Sequence, residues 1–101
     1  MAVTTPKKMY RGAASLTNTT LYTVPASTSA VMTKLHVANT SASAQTFTIS
    51  LNGTAIYSGA TIAANSGFTL DTAEVLATTE TISGFASATS VNFSVNGVET
   101  V

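Results

Sequence analysis

Residues 30–58 read AVMTKLHVAN (30–39), TSAS (40–43), AQTFTISL (44–51), NG (52–53) and TAIYS (54–58). In the third block Phe47, Ile49 and Leu51 alternate with Thr46, Thr48 and Ser50. That period of two is the mark of a strand with one buried and one wet face. Asn52-Gly53 follows directly, and this dipeptide supplies the two positive-φ positions of a type I′ hairpin turn. Ala55, Ile56 and Tyr57 then run back. Upstream, Val31 to Ala38 predicts another strand, with Val31, Leu35 and Val37 on one face. The expected centre of the chain is therefore an antiparallel sheet of three strands with one apolar side. The rest of the chain must cover that side.

A chain of 101 residues suits one domain with a modest core. It has no cysteine, so disulfide and thiolate chemistry are excluded. Charged residues make up only 8% of the chain and the formal net charge is zero. Such a chain lacks the basic footprint of a nucleic-acid binder. Near-zero charge also removes a barrier to self-association. Serine and threonine fill roughly a third of the sequence, well above ordinary usage. No apolar run approaches the ~20 residues of a membrane-spanning helix. The opening MAVTTPKKMYRG has two lysines and no apolar segment behind them, so it is not read as a secretory signal, and a cytoplasmic origin is expected. The acceptor-like triplets Asn18-Thr19-Thr20 and Asn39-Thr40-Ser41 are then read as chance matches.

Taken in order, residues 1–9 are expected to form an extended arm, and residues 10–101 a single domain. Lys7, Lys8 and Arg11 form the only basic cluster. A first strand is expected from Met9 to Leu16 and a second from Thr20 to Val24, ended by Pro25. Turns are expected at residues 40–43, at Ser58-Gly59 and at Asn65-Ser66-Gly67. Phe68 and Leu70 mark a further strand. Ala73 to Thr79 reads as one helical turn or a bend. Glu80 to Phe85 reads as a strand with Gly84 as a bulge. Val91, Phe93 and Val95 alternate cleanly, and Asn96-Gly97 is expected to turn the chain into a short last strand, residues 98–101. About eight strands at this spacing, with no helix, predict an all-β, antiparallel two-layer β-sandwich of jelly-roll or immunoglobulin-like type. The expected core is Leu21, Val31, Leu35, Val37, Phe47, Ile49, Leu51, Ile56, Phe68, Leu70, Ile82, Val91, Phe93 and Val95.

Catalytic patterns are scarce. His36 is the single histidine, placed opposite Leu35 and Val37 on a face with Lys34 and Met32. Alone, and without cysteine, it cannot build a zinc site. None of the four acids, Asp71, Glu74, Glu80 and Glu99, lies near it in sequence. Asp71 and Glu74 are three apart but lack the dense oxygen ligands and glycine of a calcium loop. There is no phosphate loop, nucleophile elbow or interleaved basic–aromatic run. The expectation is a protein that is not an enzyme and carries no metal or other cofactor. Its wet surface of Thr, Ser, Ala and Asn has few charges to desolvate and is suited to lying against neighbours.

Four segments carry a resemblance: LYTVP (21–25), HVANTSAS (36–43), ETISG (80–84) and SVNFSVNGVE (90–99). Over roughly residues 10–101 the chain resembles small virion proteins of tailed bacteriophages. The resemblance implies a β-sandwich attached to a virion, as a capsid decoration (cement) protein or as a small tail, collar or fibre subunit. The partners expected are the major capsid protein or another virion protein, and further copies of the chain, with a trimer favoured. Neither nucleic acid nor membrane is expected as a partner. The expected location is the virion, after synthesis in the host bacterial cytoplasm. Lys7, Lys8, Arg11, Met32, Lys34 and His36 are the expected contact residues. A different class of reading is a free carbohydrate-binding sandwich with Tyr22 or Tyr57 lining a groove.

Overall fold

The computed structural model describes residues 3–101, in eight strands and no helix. They are β1 (Thr4–Ala13), β2 (Thr19–Thr23), β3 (Ser29–Asn39), β4 (Gln45–Leu51), β5 (Thr54–Ile62), β6 (Ser66–Leu76), β7 (Thr81–Ala86) and β8 (Val91–Thr100). Two four-stranded sheets face each other, ordered β1-β8-β3-β6 and β2-β7-β4-β5. The antiparallel ladders join first to last and work inward: β1 with β8, β2 with β7, β3 with β6, β4 with β5. One long hairpin rolled up on itself gives this pairing, which is the jelly-roll member of the two expected sandwich types. Asn52 and Gly53, at φ 49° and 84°, form the tip of that roll.

The roll corrects the expected three-stranded central sheet. β3 lies in one sheet and β4 in the other, and only the β4–β5 link stays within a sheet. The segment TSASA (40–44) is thus a crossover and not a hairpin turn. Asn39 makes the crossover rigid. It is buried, its Nδ2 donates to the carbonyls of Ser43, Ile62 and Ala63, and its Oδ1 accepts from the backbone N–H and hydroxyl of Ser41. This arrangement leaves no free amide nitrogen for a glycan, consistent with the chance reading of that triplet.

Alternation alone misplaces one stretch of β3. The ladders to β6 and β8 both shift register between Met32 and Lys34. The extra residue at Thr33 is a β-bulge, which reverses which face the side chains meet. Ala30 and Met32 point inward before the bulge, and Leu35, Val37 and Asn39 after it. Met32 is therefore fully buried, and its expected role as a contact residue is withdrawn. Val31, expected inside, falls on the outer face.

Two turn expectations and one bulge expectation also change. Ser58-Gly59 lies inside β5, where the ladder to β4 is irregular and the Gly59 N–H donates to Thr48 Oγ1. Asn96-Gly97 lies inside β8, which runs straight on to Thr100. Gly84 is no bulge. A Cβ there would come within 2.7 Å of Ile49 Cδ1 and 2.8 Å of the Thr48 carbonyl, so the position needs glycine for close approach. Finally, the first strand begins at Thr4 and not Met9, because Thr4 to Lys8 pair with Thr100 to Asn96. Residues 1 and 2 of the expected arm lie outside the described residues.

The core between the sheets contains Leu35, Val37, Phe47, Ile49, Ile82, Val91, Phe93 and Val95 as expected. Met9, Tyr22, Val24, Met32, Ile62 and Leu76 join them. Leu21, Leu51, Ile56, Phe68 and Leu70 are half-buried against it.

Candidate functional site

Register places the side chains of the β1-β8-β3-β6 sheet in rows that cross all four strands. The outward rows are Pro6–Val98–Val31–Val75, then Lys8–Asn96–Lys34–Asp71, then Arg11–Ser94–His36–Thr69. The structure thus brings Lys8, Arg11, Lys34 and His36 onto one face. Lys7 takes the alternate position, in the row of Gly97, Met32 and Glu74, and is exposed at the sheet edge.

The chemistry of this face is mild. Lys34 Nζ lies 3.6 Å from Asp71 Oδ1, and both side chains are at least half exposed. Such a pair contributes little to stability. His36 Nδ1 and Thr69 Oγ1 share a hydrogen bond at 2.7 Å. The imidazole covers Gly67, where a Cβ would stand 3.1 Å from His36 Cε1. A shallow depression beside it is lined by His36, Ala38, Asn39, Thr40, Asn65, Ser66 and Gly67. Among the described residues no group of three His, Asp or Glu side chains is placed to hold a metal ion.

The opposite sheet differs in kind. Its strands TTLYT, QTFTISL, TAIYSGATI and TISGFA contain no Asp, Glu, Lys, Arg or His. Outward positions include Thr20, Ser50 and Ala55, in one row with Ser83, which is itself buried, and the exposed pair Thr46 and Thr61 in another. Every Lys and Arg side chain sits on β1 or β3, and the acids sit on β6, β8 and the β6–β7 turn. The molecule therefore has one charged sheet and one neutral, hydroxyl-bearing sheet. Composition announced the scarcity of charge, but only the strand order reveals its segregation.

Two tyrosines were candidates for a sugar platform. Tyr22 is buried, and its hydroxyl donates to the Glu99 carboxylate, joining β2 to β8 across the sandwich. Tyr57 packs edge-on against Phe68 at 5.3 Å and tilts against Phe47 at 5.7 Å. Both rings serve the interior. Nothing in the sequence pairs Tyr22 with Glu99, which are far apart along the chain.

Burial, the hydrogen bond to Glu99 and its negative charge all push the Tyr22 phenol well above its usual 10.0. The folded chain then keeps a proton that the unfolded chain releases. This contribution to stability is complete below pH 10 and is lost as pH rises toward the folded-state value. The expected result is a steeper fall of melting temperature above pH 10 in the native chain than in Tyr22→Phe. At neutral pH the variant loses about 1–3 kcal/mol, because Glu99 is left short of a donor. Parallel pH curves for the two chains would refute the assignment.

No protein-family model matches the chain, and no curated protein does. Among solved structures, the fold is similar to part of a chain from a crystal structure of the IBDV viral particle, with a TM-score of 0.57 and 12% sequence identity. The match covers 98% of this chain and 30% of that one. The two share a fold.

Proposed function

We propose that this chain is a structural protein of a bacteriophage virion, most simply a decoration (cement) protein seated on the assembled head. The observation that carries this reading is the uncharged outer face of the β2-β7-β4-β5 sheet. That face consists mostly of short hydroxyl and methyl groups, with the half-buried Phe85 ring among them opposite Thr48. It therefore has few ions to strip of water and little rotamer entropy to lose. It suits repeated contact with a protein lattice. The jelly-roll shared with a chain of a viral particle and the sequence resemblance to phage virion proteins point the same way. Stabilisation follows from mass action, since a protein that binds only the assembled shell favours that shell. Several attached copies acting together strengthen weak individual contacts. No catalytic role is proposed.

The test is co-sedimentation of the purified chain with expanded, DNA-free heads of the parent phage, with unexpanded proheads and isolated tails as separate arms. Expected is retention on expanded heads and greater heat resistance of those heads. Thr46→Glu with Thr61→Glu, two exposed threonines that pair across β4 and β5, should weaken retention about tenfold or more by placing like charges in the contact. Retention on tails alone would select the tail, collar or fibre reading. Retention on none of the three would reject the virion assignment.

A further inference from the structure

The charged sheet ends in two open edges of opposite sign. β1 (TTPKKMYRGA) carries Lys7, Lys8 and Arg11 and no acid. β6 (SGFTLDTAEVL) carries Asp71 and Glu74 and no base. The other sheet's edges, β2 and β5, are neutral. We propose that the β6 edge of one copy adds to the β1 edge of a second copy, continuing the β1-β8-β3-β6 sheet from molecule to molecule. This inference does not depend on the virion reading, because it concerns the chain's association with itself.

Direction allows the addition. Each strand of the sheet is antiparallel to its neighbour. β6 therefore runs opposite to β1, and a second copy in the same orientation presents β1 antiparallel to β6. Charge then selects this pairing over the others. A two-fold contact of β1 with β1 would set lysines against lysines, and one of β6 with β6 would set acids against acids. Both are unfavourable across strands. Pro6, Lys7 and Lys8 are the residue types that guard an edge against indiscriminate pairing. An acidic edge is the one for which the lysines become attractive.

Register supports the same pairing. The rows of the sheet align Asp71 with Lys8 and Glu74 with Lys7. The bulges leave two extra residues, Thr72 and Ala73, between the acids on β6. Regular pairing therefore seats one acid directly opposite its lysine and the other one diagonal away, within reach of a lysine side chain. The contact is heterologous, so it closes into a ring where the rotation permits and otherwise runs on as a fibre. A ring of three would match the trimer that the resemblance to phage virion proteins implies.

Sedimentation equilibrium of the full chain tests the proposal. The native chain should associate, and association should weaken with salt. Lys7→Glu with Lys8→Glu, and separately Asp71→Lys with Glu74→Lys, should each weaken association about tenfold or more. Mixing these two variants should restore association between unlike chains, as mixed dimers and even-numbered or open assemblies, because each edge of one variant then meets an edge of opposite sign on the other. An odd ring cannot alternate and is not expected from the mixture. If either variant fails to fold, Lys8→Cys and Asp71→Cys chains, oxidised together in this otherwise cysteine-free sequence, should cross-link to each other and not to themselves. A native chain that stays monomeric to about 1 mM overturns the proposal. So do reversals without effect, folded variants that mixing does not rescue, or cross-links confined to like pairs. Loss of head binding through Thr46 and Thr61 would leave these results unchanged, so the two readings fail separately.

Discussion

Replacing Gly97 with alanine should destabilise the fold by about 3 kcal/mol or more, although it adds a single methyl group. Gly97 sits mid-strand in β8, between Lys7 on β1 and Met32 on β3. A Cβ there would overlap the Val31 carbonyl oxygen and lie 2.6 Å from Met9 Cε. The methionine could swing aside, but the carbonyl belongs to a neighbouring strand and cannot move without opening the ladder. The bulges nearby, between Met32 and Lys34 on β3 and between Lys8 and Tyr10 on β1, draw the three backbones together at this point. The loss is a large share of the roughly 5–15 kcal/mol that holds a domain of this size. It should appear as a fall in melting temperature of about 12 °C or more. Gly53→Ala is the contrasting substitution. Nothing lies within 4 Å of a Cβ there, and its cost comes only from the positive φ. A Gly97→Ala chain that melts within a few degrees of the native one would show that the strands are not so close.

The same dipeptide teaches two lessons in this chain. Asn52-Gly53 turns the chain at the tip of the roll, as its chemistry predicts. Asn96-Gly97 does not, because Val98 to Thr100 have partners on both sides, in β1 and β3. Local turn propensity yields when two ladders continue through it. Periodicity of two was enough to find the strands and the all-β class, since it reports burial on one face. It could not say which strands share a sheet. Thr40 to Ala44 look like a hairpin turn locally, yet they cross between layers. The deciding contacts are the amide of Asn39 with Ile62 and Ala63, distant in sequence.

Bulges set a second limit. A single extra residue at Thr33 exchanged the places of Val31 and Met32, and no local signal marks that position. The candidate surface was legible in part. Lys34 and His36 share a face by simple alternation on β3, but Lys8 and Arg11, three apart on β1, join them only because the bulge between Lys8 and Tyr10 offsets their odd spacing. The neutral sheet and the opposed edge charges were not legible. Both depend on strand order, which carries residues from the two ends and the middle of the chain into one sheet. Only with β1 and β6 known as its outermost strands do their unlike charges acquire a meaning.

Asn39 should prove the most demanding polar position in the molecule. Asn39→Ala is expected to cost about 3–4 kcal/mol, since it strips donors from buried carbonyls and an acceptor from Ser41. Asn39→Asp should be worse at neutral pH, although it is nearly the same size. The native Nδ2 faces the carbonyl oxygens of Ser43 at 2.8 Å, Ala63 at 3.2 Å and Ile62 at 3.3 Å. A carboxylate oxygen in that place would confront three acceptors with a negative charge and no hydrogen. Burial and these oxygens would raise the aspartate's folded-state pKa, because only the protonated acid can donate there. Its contribution is then present at low pH and lost as pH rises through that value. Chemical denaturation at pH 7.5 and pH 4.5 reads both effects. The aspartate chain should fall below the alanine chain at the higher pH and recover ground on it at the lower. If aspartate matched or exceeded alanine at pH 7.5, the crossover would be open to water, and the rigid joint between the two sheets would have to be sought elsewhere.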